Sequence, residues 1–139
     1  MGAWGYGNFE NDDALDWVFE LEQTKDLSVI ANALNEIISG IGDYLDATDC
    51  ANALAAAETV AALAGRPGPE LPEEITHWVG ERYAESPQDR PLVDEAVTRQ
   101  AQHTINAVLS ESELKELWEE TDDFERWKAT VTDLLERLG

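Results

Sequence analysis

Apolar side chains recur every three or four residues through most of the chain, and no stretch of useful length alternates between apolar and polar residues. The first spacing places apolar residues on one face of an α-helix, whereas alternation would indicate a half-buried strand. The sequence therefore predicts an all-α fold, and its length suits a single domain over residues 1–139. The Gly-Arg-Pro-Gly-Pro run at 65–69 interrupts the helical pattern, so the loop at 65–71 is a candidate division between two helical layers.

The apolar rows and the capping residues that precede them predict six or seven helices. The starts predicted in chain order are Asn11 or Asp12, Asp26 or Ser28, Asp46, Pro72, Asp89 with Pro91, Ser110 with Glu113 as a capping box, and Asp122 or Asp123. The rows predicted to face the core are Ala14, Trp17, Val18 and Leu21; Ile30, Leu34, Ile37 and Ile41; Cys50, Ala53, Leu54, Ala57, Val60, Ala61 and Ala64; Ile75, Trp78, Val79 and Tyr83; Val93, Val97, Ala101, Ile105 and Val108; Leu114, Leu117 and Trp118; and Phe124, Trp127, Val131, Leu134 and Leu138. The third helix is predicted to end at Ala64 and the fourth at Ser86-Pro87.

The chain is strongly acidic, with 30 Asp and Glu residues against nine Lys and Arg and a net charge of −21. Lys25 is the only basic residue among positions 1–65, which hold twelve carboxylates: Glu10, Asp12, Asp13, Asp16, Glu20, Glu22, Asp26, Glu36, Asp43, Asp46, Asp49 and Glu58. Such a surface repels nucleic-acid phosphates and anionic membrane faces, so direct binding to either is not expected. It attracts basic protein surfaces and speeds their encounter, although excess carboxylate also serves solubility alone.

The chain has no stretch approaching 18 apolar residues, and it begins with neither a basic leader nor an apolar run. A cytoplasmic location is therefore expected. Cys50 is the only cysteine and lies in an apolar helical row. We expect it to be a buried small hydrophobic residue rather than a nucleophile.

Residues 1–11 intersperse glycines with Trp4, Tyr6 and Phe9 and predict an irregular segment whose aromatic side chains anchor it to the core. Asp12, Asp13 and Asp16 follow directly and form the best candidate site.

Three interpretations of this acidic cluster remain open. The carboxylates, with Glu20 in the same row, could hold Mg²⁺ or Ca²⁺, although the spacing of an EF-hand is missing. They could instead cap a helix and complement its dipole. One of them could also accept hydrogen bonds from backbone or indole N–H groups of residues 4–7, which would make the motif a structural latch.

Other polar groups favour structural roles. Asp43, Asp46 and Asp49 are three residues apart around the start of the third helix, where capping by Asp46 is favoured over metal binding. Glu74 and His77 match one Glu-x-x-His fragment of di-iron bundles.

The second fragment that a di-iron bundle needs is absent, because Gln100 occupies the position three residues before His103. Glu73, His77 and Glu81 are predicted to face solvent, and His103 is predicted at the edge of the core with one hydrogen-bond partner. The chain also has no G-x-G-x-x-G, P-loop or G-x-S-x-G motif, so neither enzyme activity nor a cofactor is expected.

The opening motif carries a family resemblance. Met1-Gly2-Ala3-Trp4-Gly5, then Gly7, Phe9, Asn11-Asp12-Asp13-Ala14 and Asp16-Trp17, resembles the start of a bacterial family known as domain of unknown function 4259. The stretches AAAETVAALAGRP at 55–67, LPEEI at 71–75 with Trp78, and SELKELW at 112–118 followed by Trp127 are similar to that family too. The resemblance implies a self-contained small bacterial domain and brings no activity with it.

The function we favour from the sequence is a protein-binding module, comparable to immunity proteins or inhibitors, that attracts a basic partner and anchors it with an exposed aromatic residue. The residues predicted to bind are Trp4, Phe9, Asn11, Asp12, Asp13, Asp16 and Trp17. The alternatives are a protein that binds a metal or small ligand through Asp12, Asp13 and Asp16, and an inhibitor that mimics DNA through carboxylates along one face.

Overall fold

A computed structural model describes residues 3–85 and 93–139 of the chain. In those residues the backbone forms seven helices and, outside them, two isolated β-bridges: α1 (Asp12–Glu22), α2 (Ser28–Gly40), α3 (Ala47–Leu63), α4 (Glu73–Glu85), α5 (Glu95–Ser110), α6 (Glu113–Glu119) and α7 (Phe124–Leu138). The predicted all-α architecture is confirmed, with the larger of the two predicted helix numbers.

Capping residues set several helix starts as predicted. The side-chain oxygen of Asn11 accepts a hydrogen bond of 2.8 Å from the backbone N–H of Ala14 and so caps α1. Asp46 caps α3 in the same way, because its carboxylate accepts from the backbone N–H of Asp49 at 2.9 Å. Each cap satisfies an amide that the helix itself leaves without a partner.

Two predicted starts lie elsewhere. Helix α5 begins at Glu95 after the cap residue Asp94, so Val93 lies before the helix. The predicted start of this helix at Asp89 and Pro91 lies outside the described residues, and so does the predicted end of the fourth helix at Ser86-Pro87. The capping box at Ser110 is wrong, because Ser110 ends α5 and the hydroxyl oxygen of Ser112 accepts from the backbone N–H of Lys115 at 3.1 Å.

Helix α3 is the centre of the fold, since it contacts each of the other six helices. Every residue from Ala53 to Leu63 is buried, so the helix has no solvent-facing side there. The prediction of a single inward face was therefore too narrow. Alanine explains the difference, because a helix of small side chains can be approached closely from all directions, and a helix surrounded in this way needs no polar face.

The predicted inward rows are otherwise largely correct, and Trp17, Trp78, Trp118 and Trp127 are all buried. Ile41 and Ala64 are wrong predictions: each lies just past the end of its helix and is exposed.

On α4, Tyr83 was predicted to face inward but is 49% exposed, and Arg82 is buried instead. The guanidinium of Arg82 lies 4.9 Å from the ring centroid of Trp78. Arginine can cover an aromatic face in this way and keep its charge solvated or paired. His103 was predicted at the core edge but is exposed. His77 faces solvent as predicted, and its Nε2 lies 3.1 Å from Glu81 Oε1.

The buried residues on both sides of the loop at 65–71 belong to one continuous cluster. No helix among the described residues is long and apolar enough to cross a membrane.

Candidate functional site

The segment of residues 3–11 folds back on itself through its backbone. The N–H of Trp4 donates to the carbonyl oxygen of Glu10 at 3.0 Å, and the N–H of Glu10 donates to that of Gly7 at the same distance. Phe9 is buried, but Trp4 is 59% exposed and Tyr6 is 38% exposed. The prediction that all three aromatic residues anchor the segment is therefore wrong for Trp4 and Tyr6.

A carboxylate latch does exist in this segment, but the predicted residues do not provide it. The backbone N–H of Gly7 donates to Glu10 Oε1 at 3.0 Å. A β-carbon on Gly7 would lie only 2.5 Å from that oxygen, so the close approach depends on glycine. Glu10 takes the role because the turn at Gly7 brings position 10 back over position 7.

The three predicted aspartates do not converge on one point, because Asp12 and Asp16 share an exposed side of α1 and Asp13 lies toward α3. Asp12 and Asp16 are exposed, as is Glu20, whereas Asp13 is half-buried and accepts a hydrogen bond of 3.4 Å from the hydroxyl of Thr48 on α3. Within residues 3–85 and 93–139, no group of three Asp, Glu, His or Cys side chains is arranged to hold a metal ion. The geometry gives the metal interpretation no support.

Helix α1 also carries large apolar side chains on its outer side. Phe19 is 68% exposed and Leu15 is 42% exposed, whereas Ala14, Trp17 and Leu21 are buried on the opposite side. Residues three or four apart are neighbours on a helix surface, so Phe19 adjoins Leu15. We call this exposed surface the α1 face and define it as Asp12, Leu15, Asp16, Phe19, Glu20 and Glu22, all of them exposed.

Within residues 3–85 and 93–139, the carboxylates of the α1 face form no ion pair. All the ion pairs found among the described residues involve a basic group from the second half of the chain: His77, Arg82, Arg99, Arg126 or Arg137. None includes Asp12, Asp16, Glu20 or Glu22. The sequence showed the shortage of cations, and the predicted inward row of α1 leaves out Phe19 and Leu15, but only the structure shows how far the two side chains are exposed.

A second polar arrangement lies where the N-terminal segment, α3 and α7 meet. Glu58 is 5% exposed in the alanine-rich helix α3. Its carboxylate accepts two hydrogen bonds from Arg137, at 2.8 Å from Nη1 and 3.0 Å from Nη2. Asn8 Nδ2 donates to the same carboxylate at 2.8 Å. We call Asn8, Glu58 and Arg137 the buried junction.

Arg137 is held by further contacts. Its Nε donates to Asp133 at 2.9 Å, and its Nη1 donates to the backbone carbonyl oxygen of Arg66 at 3.3 Å. The hydrogen bonds to Glu58, together with the nearby negative charges, raise the pKa of Arg137 above its ordinary value. The buried carboxylate thus has a permanently charged partner, as a charge in an apolar environment requires.

Sequence reasoning missed the buried junction. Glu58 was the available signal, because a glutamate within a run of alanines needs a partner if the helix is buried on all sides. Nothing in the sequence identifies that partner, since Arg137 is 79 residues away.

The Cys50 thiol agrees with its predicted role. Cys50 is buried, and burial raises the pKa of its thiol to about 12. The thiol is therefore protonated near neutral pH and unsuited to nucleophilic attack.

Comparison with known proteins gives a family and no activity. A family model described as "Domain of unknown function (DUF4259)" matches residues 2–130. No curated protein and no solved structure matches the chain.

Proposed function

Because this chain belongs to the DUF4259 family, whose description assigns no activity, we propose from its surface that it is a non-enzymatic protein-binding module. Its partner is a protein with a basic surface around an apolar pocket, and the α1 face is the surface that docks.

The observation that carries this proposal is the position of Phe19. It is the most exposed large apolar side chain among the described residues, at 68%. On the helix surface it adjoins Leu15, Asp16 and Glu22. An aromatic side chain that a partner can desolvate is a typical binding hot spot, and surrounding polar residues form its rim.

The charges define the partner's chemistry. Asp12, Asp16 and Glu20 follow one another at intervals of four residues, or roughly 6 Å along the helix. Their negative potential would accelerate the approach of a basic surface and repel an acidic one. The apolar residues beside this row favour a protein partner over the DNA-mimic alternative, because a duplex-like surface needs carboxylates without an aromatic anchor.

The test is an affinity capture with the intact protein as bait in a lysate of its source organism, followed by quantitative mass spectrometry. Three baits are compared: the unmodified chain, Phe19→Ala, and Tyr44→Ala as a matched control. Tyr44 is 65% exposed and lies outside the α1 face, so its loss changes exposed aromatic area by a similar amount. We expect a basic protein that the unmodified chain and Tyr44→Ala retain and that Phe19→Ala loses at least tenfold.

Two variants that each remove three carboxylate charges test the electrostatic part of the proposal. The triple variant Asp12→Asn, Asp16→Asn, Glu20→Gln should slow association with the captured protein. The control Glu119→Gln, Glu120→Gln, Glu125→Gln removes the same charge from exposed positions elsewhere and should slow it far less. Equal effects of the two triple variants, or capture that does not depend on Phe19, would overturn the proposal.

A further inference from the structure

A cavity of about 300 Å³ lies beside the buried junction. The N-terminal segment, the loop after α3 and the last turns of α7 enclose it, and Phe9, Pro69, Leu71 and Ala129 give it apolar walls. Its volume is at the lower end of the range for small-molecule sites. It is separate from the α1 face, none of whose residues line it.

Carboxylates outnumber cations in the cavity wall. Glu58, Glu70 and Asp133 line it together with a single guanidinium, that of Arg137. Arg137 already donates to Glu58, Asp133 and the Arg66 carbonyl oxygen. The cavity therefore has little donor capacity left for an anion.

Acceptors, in contrast, remain available. Asn8 is 6% exposed and lines the cavity, and its Oδ1 is buried without a hydrogen-bond partner among the described residues. Its Nδ2 is committed to Glu58, so Oδ1 is the atom of this amide that can still accept a hydrogen bond, and a small movement of the side chain would uncover it for a ligand. A buried acceptor without a donor is costly, and a bound donor would remove that cost.

Glu70 adds a negative charge to the same wall. Its Oε2 lies 2.8 Å from the point where a Gly7 β-carbon would stand. The Glu70 carboxylate takes part in none of the hydrogen bonds or ion pairs found in the described part of the chain. A side chain at Gly7 would occupy this space, so the glycine keeps the carboxylate close to the N-terminal segment.

We propose that this cavity binds a small organic cation: a primary ammonium or guanidinium group on an apolar body. The charged group donates to Glu70 and Asn8 Oδ1, and the apolar body packs on Phe9 and Leu71. The proposal is independent of the protein-binding function of the α1 face.

The test is a titration of the full chain, followed by backbone amide NMR and calorimetry, with three probes of similar shape. The probes are 2-phenylethylamine, its neutral analogue 2-phenylethanol and the anion 3-phenylpropionate. We expect the amine to shift the backbone amide signals of residues 6–9, 68, 70 and 71, and to bind at least tenfold more tightly than the alcohol. Equal affinity for amine, alcohol and acid, or no shift in those signals at millimolar amine, would overturn the proposal.

Variants separate this site from general attraction of cations to an acidic protein. Glu70→Gln should weaken amine binding about tenfold, and Ala129→Phe should block it, because Ala129 is exposed and lines the cavity. Glu74→Gln removes one exposed carboxylate outside the cavity and should leave the affinity unchanged. A loss of affinity in Glu74→Gln equal to that in Glu70→Gln would show non-specific binding and refute the site.

Discussion

The α1 face and the buried junction handle negative charge in opposite ways. On the α1 face, four carboxylates and two apolar side chains are exposed without a cation among them. At the buried junction, one carboxylate is 5% exposed and receives hydrogen bonds from Arg137 and Asn8. Water solvates the first group of charges, so they contribute little to folding and remain free to act on a partner. The second charge has lost water and needs its protein donors, so removing a donor should destabilise the fold.

Removing the guanidinium should produce the largest effect. Arg137→Met leaves Glu58 buried without its cation, and we expect the free energy of unfolding to fall by about 3–5 kcal/mol. Urea denaturation measures this. The double variant Glu58→Gln, Arg137→Met should recover much of the loss, because no uncompensated charge remains. A loss under about 1 kcal/mol in the single variant would mean that the pair is solvated and the contrast with the α1 face is false.

Cys50 tests whether the interior around α3 excludes a charge that has no partner. Because burial raises the thiol pKa to about 12 from 9.0, the folded chain keeps the proton at a pH where the unfolded chain loses it. Stability is therefore fully present below pH 9 and declines as the pH rises toward 12. Relative to Cys50→Ala, we expect the free energy of unfolding of the intact chain to fall by roughly 1 kcal/mol between pH 8 and pH 10. If the free energy of unfolding changed with pH in the same way in the two proteins, the thiol would be accessible to water.

Gly68→Ala probes the packing of the buried junction without removing a charge. The new β-carbon would lie 3.0 Å from Glu58 Oε1 and 3.1 Å from two nitrogens of Arg137. The pair must shift by a few tenths of an ångström, and we expect a loss of about 1 kcal/mol in the free energy of unfolding. Gly80→Ala is the matched control, since nothing lies within 4 Å of its β-carbon position and it sits in α4, where alanine is favourable. Equal destabilisation by both substitutions would refute close packing at Gly68.

The smallest effect is expected on the α1 face. Asp16→Asn should change the free energy of unfolding by no more than about 0.5 kcal/mol, because the exposed carboxylate takes part in no ion pair or helix cap found in the described part of the chain. Thermal and urea denaturation measure the change. A loss above about 1 kcal/mol would indicate that Asp16 holds the fold together, as the latch interpretation supposed, and would weaken its assignment to a binding surface.

The fold was largely predictable, and the candidate sites were only partly so. The row of Ala14, Trp17 and Leu21 identified the buried side of α1, since a helix repeats every 3.6 residues whatever surrounds it. Local chemistry also identified the caps at Asn11 and Asp46. For α6 the local signal misled, because Ser110 and Glu113 have the spacing of a capping box but Ser112 caps the helix.

The candidate sites depend on contacts between distant residues. Phe19 was not predicted as a binding residue: the predicted inward row of α1 leaves it out, but whether another part of the chain covers it depends on the tertiary fold. Trp17 and Phe9 were predicted as binding residues and are buried.

The sequence by itself determined the helices, most of their inward rows and the shortage of cations in the first half, because periodicity, capping and composition are local properties. The tertiary structure alone decided that α3 is buried on all sides from Ala53 to Leu63, that Glu58 meets Arg137 across 79 positions, and that Glu10 rather than an aspartate closes the N-terminal turn. These outcomes depend on how helices are placed in three dimensions. That placement results from burying the apolar rows of all seven helices together.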